Sequence, residues 1–238
     1  MKNLLKELLE KIGLRMNFVK NLWYLDSLIV IDNLLNNQCP VIFDIGACDG
    51  STVIEFKKVF PLSTVYSFEP FPDSFLNLKH LSNRHTNVNT FELAISNENG
   101  FMDFFVNKSK ATNSLLSSKI TNSFIDDHSK FEKKIKVETK MLDTFLAENS
   151  ISRIDILKMD VQGGELKILE GAKDSLQKKI IKIIYTEIWF IEGYNDQPLY
   201  HDLATYLNNF GYYPFGLYNL HYRKDGHLLW GDAIFYLK

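Results

Sequence analysis

Cysteine is nearly absent: two in 238 residues, Cys39 and Cys48, at either end of an apparent strand. An extended backbone holds such residues too far apart for a disulfide. Free thiols point to a reducing compartment, so a cytoplasmic location is expected. Excess charge is lacking as well. Lys+Arg 27 against Asp+Glu 29 leaves a formal charge of −2, too little field to hold a phosphate backbone by counterion release, so nucleic acid is not an expected partner. The longest aliphatic block, Leu28-Ile29-Val30-Ile31, falls far short of the roughly 18 apolar residues of a membrane span, and no transmembrane segment is expected. The start alternates Lys2, Lys6, Glu7, Glu10 and Lys11 with leucines, unlike the uncharged apolar region of a signal peptide. Gly 12 and Pro 6 exclude a collagen-like chain. What remains, 45% hydrophobic and 24% charged residues, is the composition of a soluble globular protein long enough for one elaborated domain.

Leu4, Leu5, Leu8, Leu9 and Ile12 recur at helical spacing, and after Gly13 the pattern resumes at Phe18, Val19, Leu22 and Trp23. Such a stripe usually covers a core, so residues 1–38 are expected to form an N-terminal helical extension to a domain over 39–238. From Val41 the pattern changes. Val41 to Ile45 reads as a strand, a helix follows up to Pro61, Thr64 to Phe68 is a second strand, Ser74 to Leu81 a helix, and Val88 to Ile95 a third strand. The alternation returns with Ile154 to Met159, a helix from Glu165 to Leu176, and Ile180 to Ile188. Strands separated by helices predict a doubly wound, mostly parallel α/β sheet. Between them, Met102 to Val106 and Ile135 to Glu138 look like strands around a polar stretch, Asn107 to Asp127, that reads as a lid or substrate loop. The end of the chain predicts a hairpin, its strands joined through Asp225-Gly226.

The first strand runs into Asp44-Ile45-Gly46-Ala47-Cys48-Asp49-Gly50, at the strand end where open α/β sheets place a ligand. Its spacing is Gly-x-x-x-Gly rather than the Gly-x-Gly-x-x-Gly that wraps a pyrophosphate, and Asp44 and Asp49 would repel phosphates. A cationic ligand without phosphates suits it better, and S-adenosylmethionine carries an ammonium and a sulfonium. The second strand ends in Phe68-Glu69-Pro70. Glu69 follows the glycine loop at about the interval at which an acid reaches ribose hydroxyls, and a carboxylate can accept from both.

A later strand delivers Asp160 to the same edge within Asp155-Ile156-Leu157-Lys158-Met159-Asp160-Val161-Gln162-Gly163-Gly164-Glu165. This run resembles the Lys-x-Asp-x-x-Gly-x-Glu signature of the FkbM family of S-adenosylmethionine-dependent methyltransferases, and Leu169-Glu170-Gly171-Ala172 continues the likeness. The Asp44 to Gly50 loop is similar to that family's first motif, Phe68-Glu69-Pro70 to its second, and Val137-Glu138-Thr139 with Leu142-Asp143 to the segment before its fourth strand. Asp49 stands where the family often has Asn, and Gln162 where it often has Glu. The resemblance implies a class I, Rossmann-like fold with an antiparallel C-terminal strand, and methyl transfer onto a hydroxyl of a glycan or secondary metabolite. It also implies that Asp44, Gly46, Ala47 and Gly50 line the methionine part of the cofactor, that Glu69, with Pro70 beside it, holds the ribose, that Ala94 and Ile95 border the adenine, and that Asp160 faces the amino-acid moiety or the reacting methyl.

A hydroxyl acceptor needs a base, and Asp160 and Glu187, both at strand ends, are the first candidates. Asp160 could equally anchor the cofactor, and His201, His221 and His227 read as surface residues. No tight carboxylate cluster suggests a metal site, although Asp160, Glu187 and Asn195 are the residues that would form one. Two other functions compete: a nicotinamide-dependent oxidoreductase, against which the glycine spacing argues, and a cofactor-binding subunit without activity. Whether the chain forms a homodimer through its N-terminal helices stays open.

Overall fold

The structure, a computed structural model, describes residues 23–119 and 129–237. The leucine stripe from Leu4 to Leu22 and the centre of the polar stretch, 120–128, lie outside the described residues. The elements are α1 (Ser27–Leu35), β1 (Val41–Ile45), α2 (Ser51–Val59), β2 (Thr64–Phe68), α3 (Pro72–Ser82), β3 (Val88–Phe91), β4 (Ala94–Ser96), β5 (Gly100–Asn107), β6 (Phe131–Met141), α4 (Leu142–Glu148), β7 (Ile154–Met159), α5 (Glu165–Glu170), α6 (Lys173–Gln177), β8 (Ile181–Trp189), α7 (Tyr200–Asn208), β9 (Tyr212–Tyr222) and β10 (Leu228–Leu237).

A seven-stranded sheet runs β3-β2-β1-β7-β8-β10-β9. Its first five strands are parallel, while β10 runs antiparallel to both β8 and β9. Both faces are covered, which is why strands such as β7, Ile-Asp-Ile-Leu-Lys-Met, are buried at every position. On one face Phe43, Phe68, Leu157, Ile184 and Phe235 pack under α4, α5 and α7; on the other Ile42, Val65, Ile156 and Ile183 meet Val30 and Ile31 of α1 and Val53 and Phe56 of α2. Asp26 caps α1, its carboxylate accepting from the amides of Leu28 and Ile29, which satisfies two donors that have no partner inside the helix.

Two expectations need correction. Val88 to Ile95 is not one strand: β3 ends at Phe91, and β4 pairs instead with β6 in a second sheet, β4-β6-β5. An apolar run shows burial but not which neighbour it pairs with. The helix expected from Glu165 to Leu176 breaks into α5 and α6 at Gly171-Ala172. At Gly171 the chain presses so closely on the Ser96 carbonyl that any β-carbon would collide with it. The C-terminal end forms the expected antiparallel hairpin, β9 and β10 joined through Asp225-Gly226. Both cysteines are free, and among the described residues no helix is long and apolar enough to cross a membrane.

Candidate active site

The chain moves outward from β1 through β2 to β3, then returns to place β7 on the opposite side of β1. That reversal leaves a crevice above the carboxyl ends of β1 and β7, the usual ligand position in open α/β sheets. Local geometry opens it further. Gly46, with φ +82°, turns the chain off β1, and a β-carbon there would strike the Asp160 carbonyl; the Gly46 and Ala47 amides donate to the Phe68 carbonyl, and that of Asp160 to Ile45. The three strand ends are thereby tied together beneath a cavity of about 370 Å³.

Of the residues singled out from the sequence, Gly46, Ala47, Glu69, Pro70, Ala94, Ile95 and Asp160 line this cavity. Asp44, Gly50 and Glu187 do not. Gly50, at φ +85°, begins α2 and packs against Leu78 and Leu81. Asp44 is fully buried beneath the loop, with neither oxygen meeting a hydrogen-bond donor among the described residues; its neighbour is the Lys158 ammonium at 3.4 Å. Asp49 is exposed and accepts from the Ser51 amide. His201, His221 and His227 are absent from the cavity wall, and the Asn195 side chain donates to Ser117.

Glu69 is held most firmly. The amides of Cys48 and Phe71 donate to its two oxygens, each at 2.8 Å. A carboxylate has about four acceptor positions, so two remain for hydroxyls of a ligand. Burial pushes its carboxyl up to about 7, partly opposed by those two amides.

Asp160 sits between two further groups. Lys158 lies 3.4 Å from both Asp160 and Asp44; burial disfavours its charge, but the two carboxylates outweigh burial and hold the ammonium above the ordinary lysine range. On the other side the Gln162 amide donates to Asp160 Oδ1 at 3.0 Å and to Glu187 Oε2 at 3.0 Å. Glu187 also accepts from Trp189 Nε1 at 2.9 Å. It is therefore one side chain removed from the cavity, and burial together with the Asp160 and Glu165 charges raises its carboxyl well above the carboxylate range. The Gln162 carbonyl oxygen accepts from the Tyr194 hydroxyl at 2.9 Å, which fixes the amide's orientation. Gln162 itself adopts φ +60°, an uncommon conformation for a residue with a side chain.

Sequence reasoning gave no individual role to several residues that shape the site. Glu165 is buried, accepts from the amides of Val161 and Gly163, and is pushed up by burial to about 7. Its signal was an acid opening a helix after a glycine turn. Phe104, Lys110, Asn113 and Leu115 reach the cavity wall from the second sheet and the polar stretch. Ser114 is anchored there, its hydroxyl donating to the Gln162 carbonyl, so part of the expected substrate loop does border the cavity.

A cavity of this size, with an acid offering two free acceptor positions on one wall and apolar Ala94, Ile95, Phe104 and Leu115 on another, suits a nucleoside with a charged tail. Comparison with known proteins agrees. The sequence pattern of the methyltransferase FkbM domain matches residues 44–214. The 2-O-methyltransferase NoeI of Sinorhizobium fredii is 33% identical over 176 residues, 71% of this chain and 69% of that protein. The 31-O-demethyl-FK506 methyltransferase FkbM of Streptomyces tacrolimicus is 25% identical over 174 residues, 64% of this chain and 66% of that one. The crystal structure of methyltransferase FkbM from Methylobacillus flagellatus superposes with a TM-score of 0.54 at 15% identity, spanning 84% of this chain and 44% of that longer one, and shares the fold. These likenesses set aside the oxidoreductase alternative. The chain belongs to the FkbM family of S-adenosylmethionine-dependent methyltransferases.

Proposed function

We propose that this enzyme methylates a hydroxyl of a small-molecule or glycan acceptor, with Asp160 as the base. The observation that carries this reading is the Asp160 carboxylate, 41% exposed beside the cavity and braced by Lys158 and Gln162. Bound S-adenosylmethionine supplies an electrophilic methyl carbon on a sulfonium. Asp160 would accept the proton that the acceptor hydroxyl loses on methylation, S-adenosylhomocysteine being the product left from the donor. Positioning is the larger contribution, because the reacting atoms must lie in line at about 3 to 3.5 Å; proton removal adds roughly a hundredfold or more.

In the same reading Glu69 and Pro70 hold the ribose, Ala94 and Ile95 border the adenine, and Gly46 and Ala47 pass along the methionine chain. Gly50 and Asp44 act from behind: the first opens α2, and the second keeps Lys158 charged beneath Asp160. Glu187 serves as a positioning residue through Gln162. Residues 39–238 form the methyltransferase domain and 1–38 its extension. The names of NoeI and of the Streptomyces enzyme, both O-methyl transfer, support the hydroxyl as acceptor. The test is a screen of sugars and hydroxylated metabolites with isotopically labelled donor, run on wild type and Asp160→Asn. An O-methyl product that falls about a hundredfold in the variant supports the assignment; an N-methyl product, or cofactor binding without any turnover, overturns it.

A further inference from the structure

A second, larger opening of about 630 Å³ lies between the start of α1, the outer face of α2 and strands β8 and β9. Thr52 of α2 lines both it and the cofactor cavity, so the two spaces adjoin at that residue. The sheet places them side by side as well. Asp44, Lys158 and Tyr185 are register partners across β1, β7 and β8, so the row of side chains that carries Lys158 beneath Asp160 continues to Tyr185 on the wall of this groove.

Among the described residues the groove is hydrogen-bonding and carries more acidic than basic groups. The Ser27 hydroxyl donates to Tyr185 Oη at 3.1 Å, Tyr185 donates to Asp232 Oδ2 at 2.9 Å, and Asn219 Nδ2 donates to that same oxygen at 2.6 Å. This chain joins α1, β8, β9 and β10 and fixes the polar wall before any ligand arrives. Asn219 sits at φ +47°, in the left-handed region that asparagine enters more readily than other side-chain-bearing residues. Along the rim stand the carboxylates of Asp26 and Glu55 and the Thr52 hydroxyl, with Lys58 as the one cation in the lining among the described residues. Leu25, Leu28 and Val59 supply apolar surface among them. Hydroxyl, amide and carboxylate groups interspersed with aliphatic patches complement a molecule whose edges are hydroxyls and whose faces are C–H. The carboxylates repel phosphates, sulfates and nucleotides.

We propose that this groove is the acceptor site and that it takes an uncharged, polyhydroxylated molecule of sugar type, presented to Asp160 past Thr52. The inference rests on the O-methyl transfer reading and narrows its acceptor class. A groove of this volume is ample for one or two sugar rings.

The experiment is saturation-transfer NMR on the full chain loaded with S-adenosylhomocysteine, with methyl β-D-glucopyranoside and glucose 6-phosphate as separate probes. Wild type, Asn219→Ala and Glu55→Lys are compared, both substitutions being at exposed positions. The neutral glycoside is expected to receive saturation from wild type and to lose about tenfold in affinity in Asn219→Ala. The phosphate is expected to bind only in Glu55→Lys. Calorimetric affinity for S-adenosylhomocysteine is expected to be unchanged in both variants. If the glycoside gives no signal, binds Asn219→Ala as it binds wild type, or is outcompeted by the phosphate on wild type, the groove assignment is overturned while the methyltransferase reading stands. If S-adenosylhomocysteine itself fails to bind, the failure lies with the proposed function.

Discussion

Replacing Glu69 by glutamine changes one atom and should expose how the cofactor is held. In the wild type two backbone amides, those of Cys48 and Phe71, each donate to a different oxygen of the carboxylate. Glutamine has a single acceptor oxygen, so its NH2 must face one of these amides, and a buried donor left unmet costs about 1 to 3 kcal/mol. The pH dependence follows from burial, which raises the Glu69 carboxyl from 4.5 to about 7. A raised carboxyl binds its proton more tightly in the folded state than in the unfolded one. Its stabilising contribution is therefore complete below about 4.5 and is lost as pH rises through about 7, on the order of 3 to 4 kcal/mol at about 1.4 kcal/mol per tenfold. Cofactor binding runs the other way. Ribose hydroxyls donate, so they favour the ionised acid, and affinity should climb with pH until it levels off above about 7. The loss of a hydrogen bond to a charged group, about 1.5 to 3 kcal/mol, predicts roughly ten- to hundredfold weaker binding in Glu69→Gln. Calorimetric titration with S-adenosylhomocysteine between pH 5.5 and 8.5 tests this, because that ligand lacks the sulfonium and isolates the ribose contact. A flat profile in wild type, or a variant that binds equally well, would refute the reasoning.

Three further outcomes follow from other parts of the site. Gly46→Ala forces a β-carbon into the Asp160 carbonyl at φ +82°; it should lower the melting temperature by at least about 5 °C, measured by calorimetry, and a change within error would show that the turn can relax. Asp160→Asn should leave affinity for S-adenosylhomocysteine within about tenfold while slowing methyl transfer about a hundredfold, a split readable by titration beside a single-turnover assay. Glu187→Gln can keep an oxygen toward both the Gln162 and Trp189 donors yet removes a carboxyl that burial holds well above its ordinary range. Since such a group destabilises the fold as pH rises, the variant's stability in urea relative to wild type should be greater at pH 8 than at pH 5. Equal stability at both would mean that Glu187 ionises freely.

The alternation of strands and helices was legible because each unit is local: β1, α2, β2 and α3 carry their own apolar periods and turn residues within a few positions. The glycine loop, Glu69 and Asp160 were legible for the same reason. What was not legible depends on which strands become neighbours. Asp44 reads as a ligand residue because it stands beside Gly46, but the pairing of β1 with β7 puts it opposite Lys158, and the two charges are buried together. The cavity wall supplied by Phe104 and Leu115 likewise depends on the β4-β6-β5 sheet folding back over the strand ends, a non-local arrangement that no short pattern encodes.

The same pairing sets Asp160, the proposed base, apart from three other acids nearby. Asp44 is enclosed and faces a lysine; Glu165 caps its own turn through the Val161 and Gly163 amides; Glu187 is held by Gln162 and Trp189. Asp160 alone of the four lines the cavity. Burial raises the carboxyls of Glu165 and Glu187 toward their neutral forms, which limits the repulsion that four clustered carboxylates would otherwise exert on one another. Lys158, charged and within 3.4 Å of Asp160, then braces that carboxylate at the cavity wall. The division of labour comes from depth in the sheet rather than from residue type, so moving Lys158 to an uncharged residue of similar length should harm Asp160 and Asp44 together. Lys158→Met is accordingly expected to lower both stability and methyl transfer, and loss of transfer with stability intact would show that Lys158 acts on Asp160 alone.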